Sequence, residues 1–151
     1  MTEVPPDGGG ATLFSSMYAA YEALSPTFQE FLEQRVALHR LGKLPGHRQE
    51  ATPPSALHPV VSTHPETGKK ALYVNQGFTK QIEGLTREES RSVLKHLYRH
   101  IENPNFHARF HWSKNSIAMW DNRCVQHYAT WDYFPATRRG YRVTLSGTSP
   151  S

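Results

Sequence analysis

The stretch Trp120-Asp121-Asn122-Arg123-Cys124-Val125-Gln126-His127-Tyr128-Ala129, continued through Asp132-Tyr133 to Arg138, Arg139 and Arg142, governs the interpretation of the whole chain. One histidine stands by a polar turn, and a group of arginines follows at the start of a strand-like segment. A neutral imidazole is the commonest protein ligand for a redox metal. A guanidinium fork is the side chain best suited to hold a carboxylate by paired hydrogen bonds. A histidine with arginines a short distance downstream therefore suits a site that holds a metal and an acidic small molecule side by side.

Composition sets the frame. At 151 residues the chain has room for one domain with a real core. Hydrophobic residues are 37% and charged residues 20%, a globular balance, and no apolar run approaches a bilayer span, so no membrane association is expected. The start, Met1-Thr2-Glu3-Val4-Pro5-Pro6, lacks the basic and apolar pattern of a secretion signal. A single cysteine permits no internal disulfide, which fits a cytoplasmic location. The net charge of +4 is spread along the chain; a nucleic-acid binder would gather it in a stripe, so no nucleic acid is expected as partner.

Periodicity gives the elements. Residues 1–11, rich in Pro and Gly, predict a loop, and Thr12-Leu13-Phe14 a short strand. Met17, Ala20, Tyr21 and Leu24 share one face of a helix over 16–24. Ser25-Pro26 starts another helix, with Phe28, Phe31, Leu32 and Val36 as its stripe. Residues 41–55 show no periodicity and predict a surface loop. Residues 58–63 and 71–75 predict strands joined by the turn His64-Pro65-Glu66-Thr67-Gly68-Lys69. Thr86 and Glu89 make a capping box ahead of a helix that buries Val93, Leu94, Leu97, Tyr98 and Ile101 and stops at Asn103-Pro104. Phe106, Ala108, Phe110 and Trp112 alternate with His107, Arg109 and His111 as in a half-buried strand. Residues 117–120 predict a further strand, and Tyr141, Val143 and Leu145 alternate as the last one. Short strands around one long helix give a mixed α/β class, part of a double-stranded β-helix of jelly-roll type with flanking helices. One domain is expected over residues 1–147, with 148–151 as a flexible tail.

The run WDNRCVQHYATWDYFPATRRGYRVTLSG at 120–147 resembles the C-terminal signature of the TauD/TfdA family of non-haem Fe(II), 2-oxoglutarate-dependent dioxygenases. The resemblance extends through HPVVSTHPETGKKALYVNQGFTKQIEGLTREES and GGGATLFSSMYAAYEALS, so it covers nearly the whole chain. It implies that His127 is an iron ligand and that Arg138, eleven residues on, holds the far carboxylate of 2-oxoglutarate. It implies a second cosubstrate contact from Thr12, and a contact from Arg142 to the anionic group of a sulfonate-type substrate. Ala11 departs from the branches that carry Asp there, without touching a ligand. The family iron is held by two histidines and a carboxylate with open positions. The first two of these ligands come from a His-x-Asp motif upstream of the glycine-rich stretch, which here begins only a few residues after Met1. The chain is therefore expected to be the second part of a dioxygenase, incomplete as given; the alternative is a catalytically inactive truncated member. What the resemblance implies is hydroxylation of a small anionic substrate, a sulfonate or sulfate ester, with molecular oxygen consumed and 2-oxoglutarate converted to succinate and CO2. Homo-oligomer formation is left open.

Competing sites are weaker. Cys124, three residues before His127, suggests a thiol with its base, but a small buried cysteine is the commoner case. His107 and His111 on a strand lie roughly 13 Å apart, too far to share an ion. His100-Ile101-Glu102 falls at a helix end, where residues two apart diverge. His64-Pro65-Glu66 is the better rival and would carry a hydrolytic zinc site, although its proline and the following glycine already explain it as a turn. Trp112 and Trp120 match family aromatics near the metal, and Asp121-Asn122-Arg123 a family turn that positions the histidine. Strand alternation puts Arg138 and Arg142 on one face and Arg139 on the other.

Overall fold

The computed structural model describes residues 1–40 and 54–147. In chain order the elements are β1 (Thr12–Ser16), α1 (Met17–Glu22), α2 (Pro26–Glu33), β2 (Val36–Arg40), β3 (Ser55–Pro59), β4 (Val61–Thr63), β5 (Lys70–Leu72), β6 (Thr79–Ile82), α3 (Arg87–Ile101), a 3-10 turn (Pro104–Phe106), β7 (His107–Phe110) and β8 (Val125–Ala129). The class is mixed α/β, with every strand pair antiparallel.

Local chemistry fixes the helices. The Thr86 hydroxyl accepts the Glu89 N–H at 3.3 Å, and Glu89 Oε2 accepts the Thr86 N–H at 2.8 Å, so two orphan donors of α3 are satisfied reciprocally. Glu88 and Glu89 in its first turn and Arg99 and His100 in its last complement the helix dipole. Ser90, Leu94, Leu97 and Ile101 are its buried residues, at spacings of three and four. In α1 the Ser16 hydroxyl accepts the Ala19 N–H at 3.3 Å, and Met17, Ala20, Tyr21 and Leu24 are buried as their spacing requires. The stripe of α2 is shorter than the spacing suggests. Leu32 is fully buried, with Phe28 and Phe31 packed on the core, but the helix ends at Glu33 and Val36 opens β2 instead. The pairing of β2 with two neighbours outweighs one more helical turn.

Three small sheets follow: β7-β1-β8, β3-β2-β6 and the hairpin β4-β5. The core between helices and sheets is Met17, Leu32, Leu72, Ile82, Leu97, Val60 and Val74, each below 2% exposure or at it. Each such side chain contributes about 1.5–3 kcal/mol through loss of apolar surface from water. The hairpin turn is as expected: the Gly68 N–H donates to His64 O at 2.8 Å, and Gly68 takes φ 68°, where a side chain would be strained.

Several strand expectations need correction. Residues 58–63 are split at Val60, with Pro59 ending β3 and Val61 starting β4 in another sheet. The strand expected over 71–75 is β5, Lys70–Leu72. β2 and β6 were missed, and Ser55, placed in a loop, begins β3. The remaining loop residues, 41–53, and the tail 148–151 lie outside the described residues. Residues 117–120 and 141–147 form no strand, because alternation makes a strand only where a neighbour accepts its hydrogen bonds. No helix among the described residues is long and apolar enough to cross a membrane.

On the second sheet His39, His58 and Tyr73 form a ring cluster, with His39 and His58 centroids 5.1 Å apart, beside a cleft of about 320 Å³. Burial, and secondarily the charge of His58, depresses the His39 pKa from 6.5 to about 4. The unfolded chain then binds a proton that the folded chain refuses. Stability is therefore complete above about pH 6.5 and falls as the pH drops toward 4. Chemical denaturation at pH 7 and pH 5 should show a loss of about 2 kcal/mol assignable to this residue. The loss should be absent in His39→Asn; an equal loss in that variant would place the acid sensitivity elsewhere.

Candidate active site on the first sheet

The register of β1 assembles the site. Phe14 pairs with His127 on one side and Ala108 on the other, while Thr12 pairs with Ala129 and Phe110. Directly paired residues share a face, so Thr12, Phe14 and His127 look out on the same side. His127 stands one residue pair, about 7 Å, along the sheet from Thr12. Trp120 packs on the His127 ring with centroids 4.9 Å apart, and Phe14 packs on Trp120 at 5.0 Å.

At the other end of this face lies a group of donors. Thr12 is buried at 4% exposure. Its hydroxyl oxygen accepts Trp112 Nε1–H at 2.9 Å and Arg138 Nη2–H at 3.3 Å. Both acceptor lone pairs are thereby used, so the hydroxyl proton is left to point outward as a donor. Arg138 also donates from Nε to the Gly10 carbonyl at 2.7 Å, and its guanidinium carbon lies 6.0 Å from the Trp112 ring centre. Among the described residues, Arg138 Nη1 makes no hydrogen bond. A hydroxyl and a guanidinium that both present hydrogens are complementary to an anion, and the nearby Asp132 carboxylate is taken up by Gly10 and Thr130.

Gly10 holds this corner together. Its N–H donates to Asp132 Oδ1 at 2.7 Å while its carbonyl accepts from Arg138. Its φ is 71°, and a Cβ would meet Arg138 Cδ at 2.5 Å, so only glycine lets the guanidinium approach. The bonds from Gly10, then from Thr130, hold the Asp132 carboxyl below its ordinary pKa. Gly10 and Asp132 were not identified from sequence; the glycine run before Thr12 was the available signal.

The chemistry of His127 is set by its surroundings. Burial first, and the positive charge of Arg142 second, lower its pKa, which keeps the imidazole neutral and able to coordinate at neutral pH. Arg142, although outside any strand, thus acts electrostatically on the His127 side. Arg139 is directed elsewhere, exchanging backbone bonds with Glu3.

The Asp121-Asn122-Arg123 turn does not bond to the His127 ring. Asp121 accepts from Arg123 and from His64 Nε2 at 3.1 Å, and Arg123 reaches on to Glu66 at 2.8 Å. Arg123, and then its own burial in the opposite sense, sets the Asp121 pKa well below the ordinary carboxylate range. The turn positions β8 through backbone instead: Asp121 O accepts the Val125 N–H at 3.0 Å, and the Met17 N–H donates to Cys124 O at 2.9 Å. Among the described residues His64, Asp121 and Cys124 form a group whose potential ligand atoms lie within 4.8 Å of one another. His64 Nδ1 accepts the Glu66 and Thr67 N–H groups while Nε2 faces Asp121, so both nitrogens are engaged, and Arg123 occupies the Asp121 oxygens that a metal would need. The group is a closed ion-pair network, and the His64-Glu66 zinc alternative loses its free nitrogen.

The family description "Taurine catabolism dioxygenase TauD, TfdA family" matches residues 1–144. The chain belongs to the TauD/TfdA family. It is 37% identical over 153 residues to an alpha-ketoglutarate-dependent sulfonate dioxygenase of Saccharomyces cerevisiae, covering 96% of this chain and 37% of that protein. A crystal structure of a taurine dioxygenase from Burkholderia xenovorans superposes with a TM-score of 0.77 at 37% identity, over 88% of this chain and 45% of that one. The structure of AAD-2 in complex with Mn(II) and N-oxalylglycine superposes with a TM-score of 0.85 at 30% identity, over 99% and 62%. Two curated relatives are covered over only 39% and 37% of their length. The sheets described above are thus part of the jelly-roll fold of this TauD/TfdA family.

Removing the neighbouring charge should release His127. In Arg142→Ala the imidazole pKa is expected to rise toward the ordinary value, because a cation no longer opposes protonation. An NMR titration of the His127 ring resonances in the metal-free chain measures it, and an unmoved or lower pKa would separate the two residues.

Proposed function

We propose that this chain carries the cosubstrate-binding half of an Fe(II)- and 2-oxoglutarate-dependent dioxygenase acting on a small sulfonate or sulfate ester. The observation that carries the proposal is the donor-only corner made by Thr12, Arg138 and Trp112, one strand step from a neutral imidazole. The fit to each group differs. Thr12 and Arg138 suit one carboxylate of a dicarboxylic acid, since both present hydrogens and neither presents a negative charge. His127 suits one position of an iron site, and among the described residues no carboxylate stands with it in a ligand cluster. The metal-bound state of a neighbour holding a divalent ion and N-oxalylglycine favours the same pairing of metal and dicarboxylate here.

Iron and 2-oxoglutarate together would supply the oxidising chemistry, in which O2 and the cosubstrate become succinate and CO2 as a substrate C–H becomes C–OH. The chain's own residues bind and orient. Arg138 is held by Gly10 at Nε and by Thr12 at Nη2, so its fork is aimed before the acid arrives and loses little freedom on binding. Trp112 lies near the guanidinium, 6.0 Å from ring centre to guanidinium carbon. Trp120 and Phe14 pack beside the His127 ring, and its partial desolvation lowers its pKa although the residue stays open to solvent. Arg142 lies on the His127 side, where its charge would attract the sulfonate or sulfate group of a substrate.

Two measurements test this. Titrating the metal-free chain with 2-oxoglutarate by NMR should show binding that Arg138→Lys weakens at least about tenfold, since lysine keeps the charge and loses the fork. Thr12→Val should weaken it by about tenfold, the loss of one hydrogen bond to a charged group. Arg142→Ala should leave it nearly unchanged, and unaltered binding in Arg138→Lys would remove the cosubstrate assignment. By itself the 151-residue chain, supplied with Fe(II), ascorbate, 2-oxoglutarate and taurine, should form no succinate above background. One imidazole does not replace a three-ligand site, and sustained iron-dependent turnover would reveal ligands not identified above.

A further inference from the structure

The exposed face of α3 carries a row of cations. Arg87, Arg91, Lys95 and Arg99 are all exposed and follow one another at every fourth position, so they line one side of the helix over about 18 Å. Among the described residues none of them forms an ion pair. The row does not serve the helix itself. Like charges at this spacing repel, and Arg87 stands at the first helical position, where the dipole disfavours a cation.

Toward α1 and α2 the row borders a cleft of about 590 Å³ lined by Ser92, Lys95, His96, Arg99 and His100. His100 Nε2 is bonded to Ala20 O at 2.7 Å, and His96 stands edge-on to Phe28 with ring centroids 5.4 Å apart. The lining is thus a hydroxyl, two imidazoles, an ammonium and a guanidinium, with no carboxylate among them. Such a set is complementary to an oxyanion, since a guanidinium fork grips a phosphate by paired bonds and an ammonium acts as a point charge. Lys95 and Arg99 stand one turn apart and Arg91 one turn further, so each can meet a separate charge of one ligand.

We propose that this cleft binds a linear oligophosphate whose successive phosphates lie along Arg99, Lys95 and Arg91. A nucleic-acid strand fits less well, because its bases need exposed rings to stack on, and Phe28, Tyr98 and Phe106 beside the row are packed against the core. An anionic membrane surface would take up an apolar helix face, and the apolar face of α3, with Leu94, Leu97 and Ile101, is buried in the core. A second copy laid antiparallel on α3 would set Arg87 against Arg99 and Arg91 against Lys95, cation on cation. The proposal does not depend on iron, 2-oxoglutarate or the site on the first sheet.

The test is calorimetric titration of the full chain with inorganic tripolyphosphate at about 0.15 M salt, where attraction between distant exposed charges is largely screened. Amide NMR shifts should locate the ligand at residues 91–100. Lys95→Gln and Arg99→Gln should each weaken binding about tenfold, the loss of a hydrogen bond to a charged group, with α3 intact by circular dichroism. Arg87→Gln removes an equal charge from the same row away from the cleft and should leave binding nearly unchanged. Sulfate, a single oxyanion, should bind far more weakly, and ATP should match tripolyphosphate, since the phosphate chain is what is recognised. Absence of binding, equal losses in Arg87→Gln and Arg99→Gln, or sulfate bound as tightly overturns the proposal. So does tighter binding of ATP, which would assign a nucleoside pocket, or loss of binding in Arg138→Lys, which would move the ligand to the first sheet.

Discussion

The candidate site depends on the pinning of Gly10 from both sides. Its N–H is taken by Asp132 and its carbonyl by Arg138, across sequence separations of 122 and 128 residues. Thr130 assists, its N–H donating to Ala11 O at 3.0 Å and its hydroxyl to Asp132 Oδ1 at 2.8 Å. These bonds close the start of the chain onto its far end next to Thr12. Without them Arg138 would be one more surface cation, and an exposed guanidinium contributes little to binding because water and salt screen it. With them the fork is oriented by neutral backbone, and its charge stays available for an incoming acid. A carboxylate partner for Arg138 within the protein would hold it as firmly and would neutralise it.

Arg123 shows that other arrangement. It bridges Asp121 and Glu66, and through Asp121 it reaches the buried His64, so its charge is spent inside the fold. The network ties the β4-β5 hairpin to the turn ahead of β8 and so sets where His127 stands along its strand. Two arginines fifteen residues apart in one stretch thus have opposite tasks, and the distinction lies in their partners, carboxylates for one and backbone and hydroxyl oxygens for the other.

Local signals in the sequence were legible and long-range ones were less so. The capping box at Thr86 and Glu89, the buried face of α3 and the face of α1 could be read because every interaction involved lies within a few residues. The placing of Thr12, Trp112, Trp120, His127 and Arg138 came from resemblance to a family; the structure brings Thr12, Trp112 and Arg138 together and sets Trp120 on His127. β2 escaped notice because its partners are β3, beyond the undescribed residues, and β6, some forty residues on, and its own sequence Val-Ala-Leu-His-Arg continues the helical spacing of α2. The reverse error occurred at 117–120 and 141–147. There the alternation is real, but alternation reports which face a residue would take in a strand and says nothing of whether a partner is present. Gly10 and Asp132 were missed for a third reason: a glycine run reads as a loop, and the demand for a positive φ beneath a guanidinium appears only when the far arginine is in place.

In the proposed reading the two ends of the first sheet have different electrostatic demands, and positive charge serves both. An anion-binding corner needs positive charge held in the open, whereas a metal-binding imidazole must stay unprotonated, a state that nearby positive charge also favours. Arg138 and Arg142 therefore do not conflict with His127. Each positive group added to this face makes the imidazole harder to protonate and the face more attractive to acids. Carboxylates would have done the reverse, raising the imidazole pKa and repelling the acid, and the two closest in sequence are occupied elsewhere, Asp121 by Arg123 and His64, and Asp132 by Gly10 and Thr130. The restraint of those two acids is as much a part of the site as the arginines are. It leaves a face whose uncommitted groups are a neutral nitrogen, a hydroxyl proton and guanidinium hydrogens, the set that a metal and an acidic cosubstrate bound side by side would require.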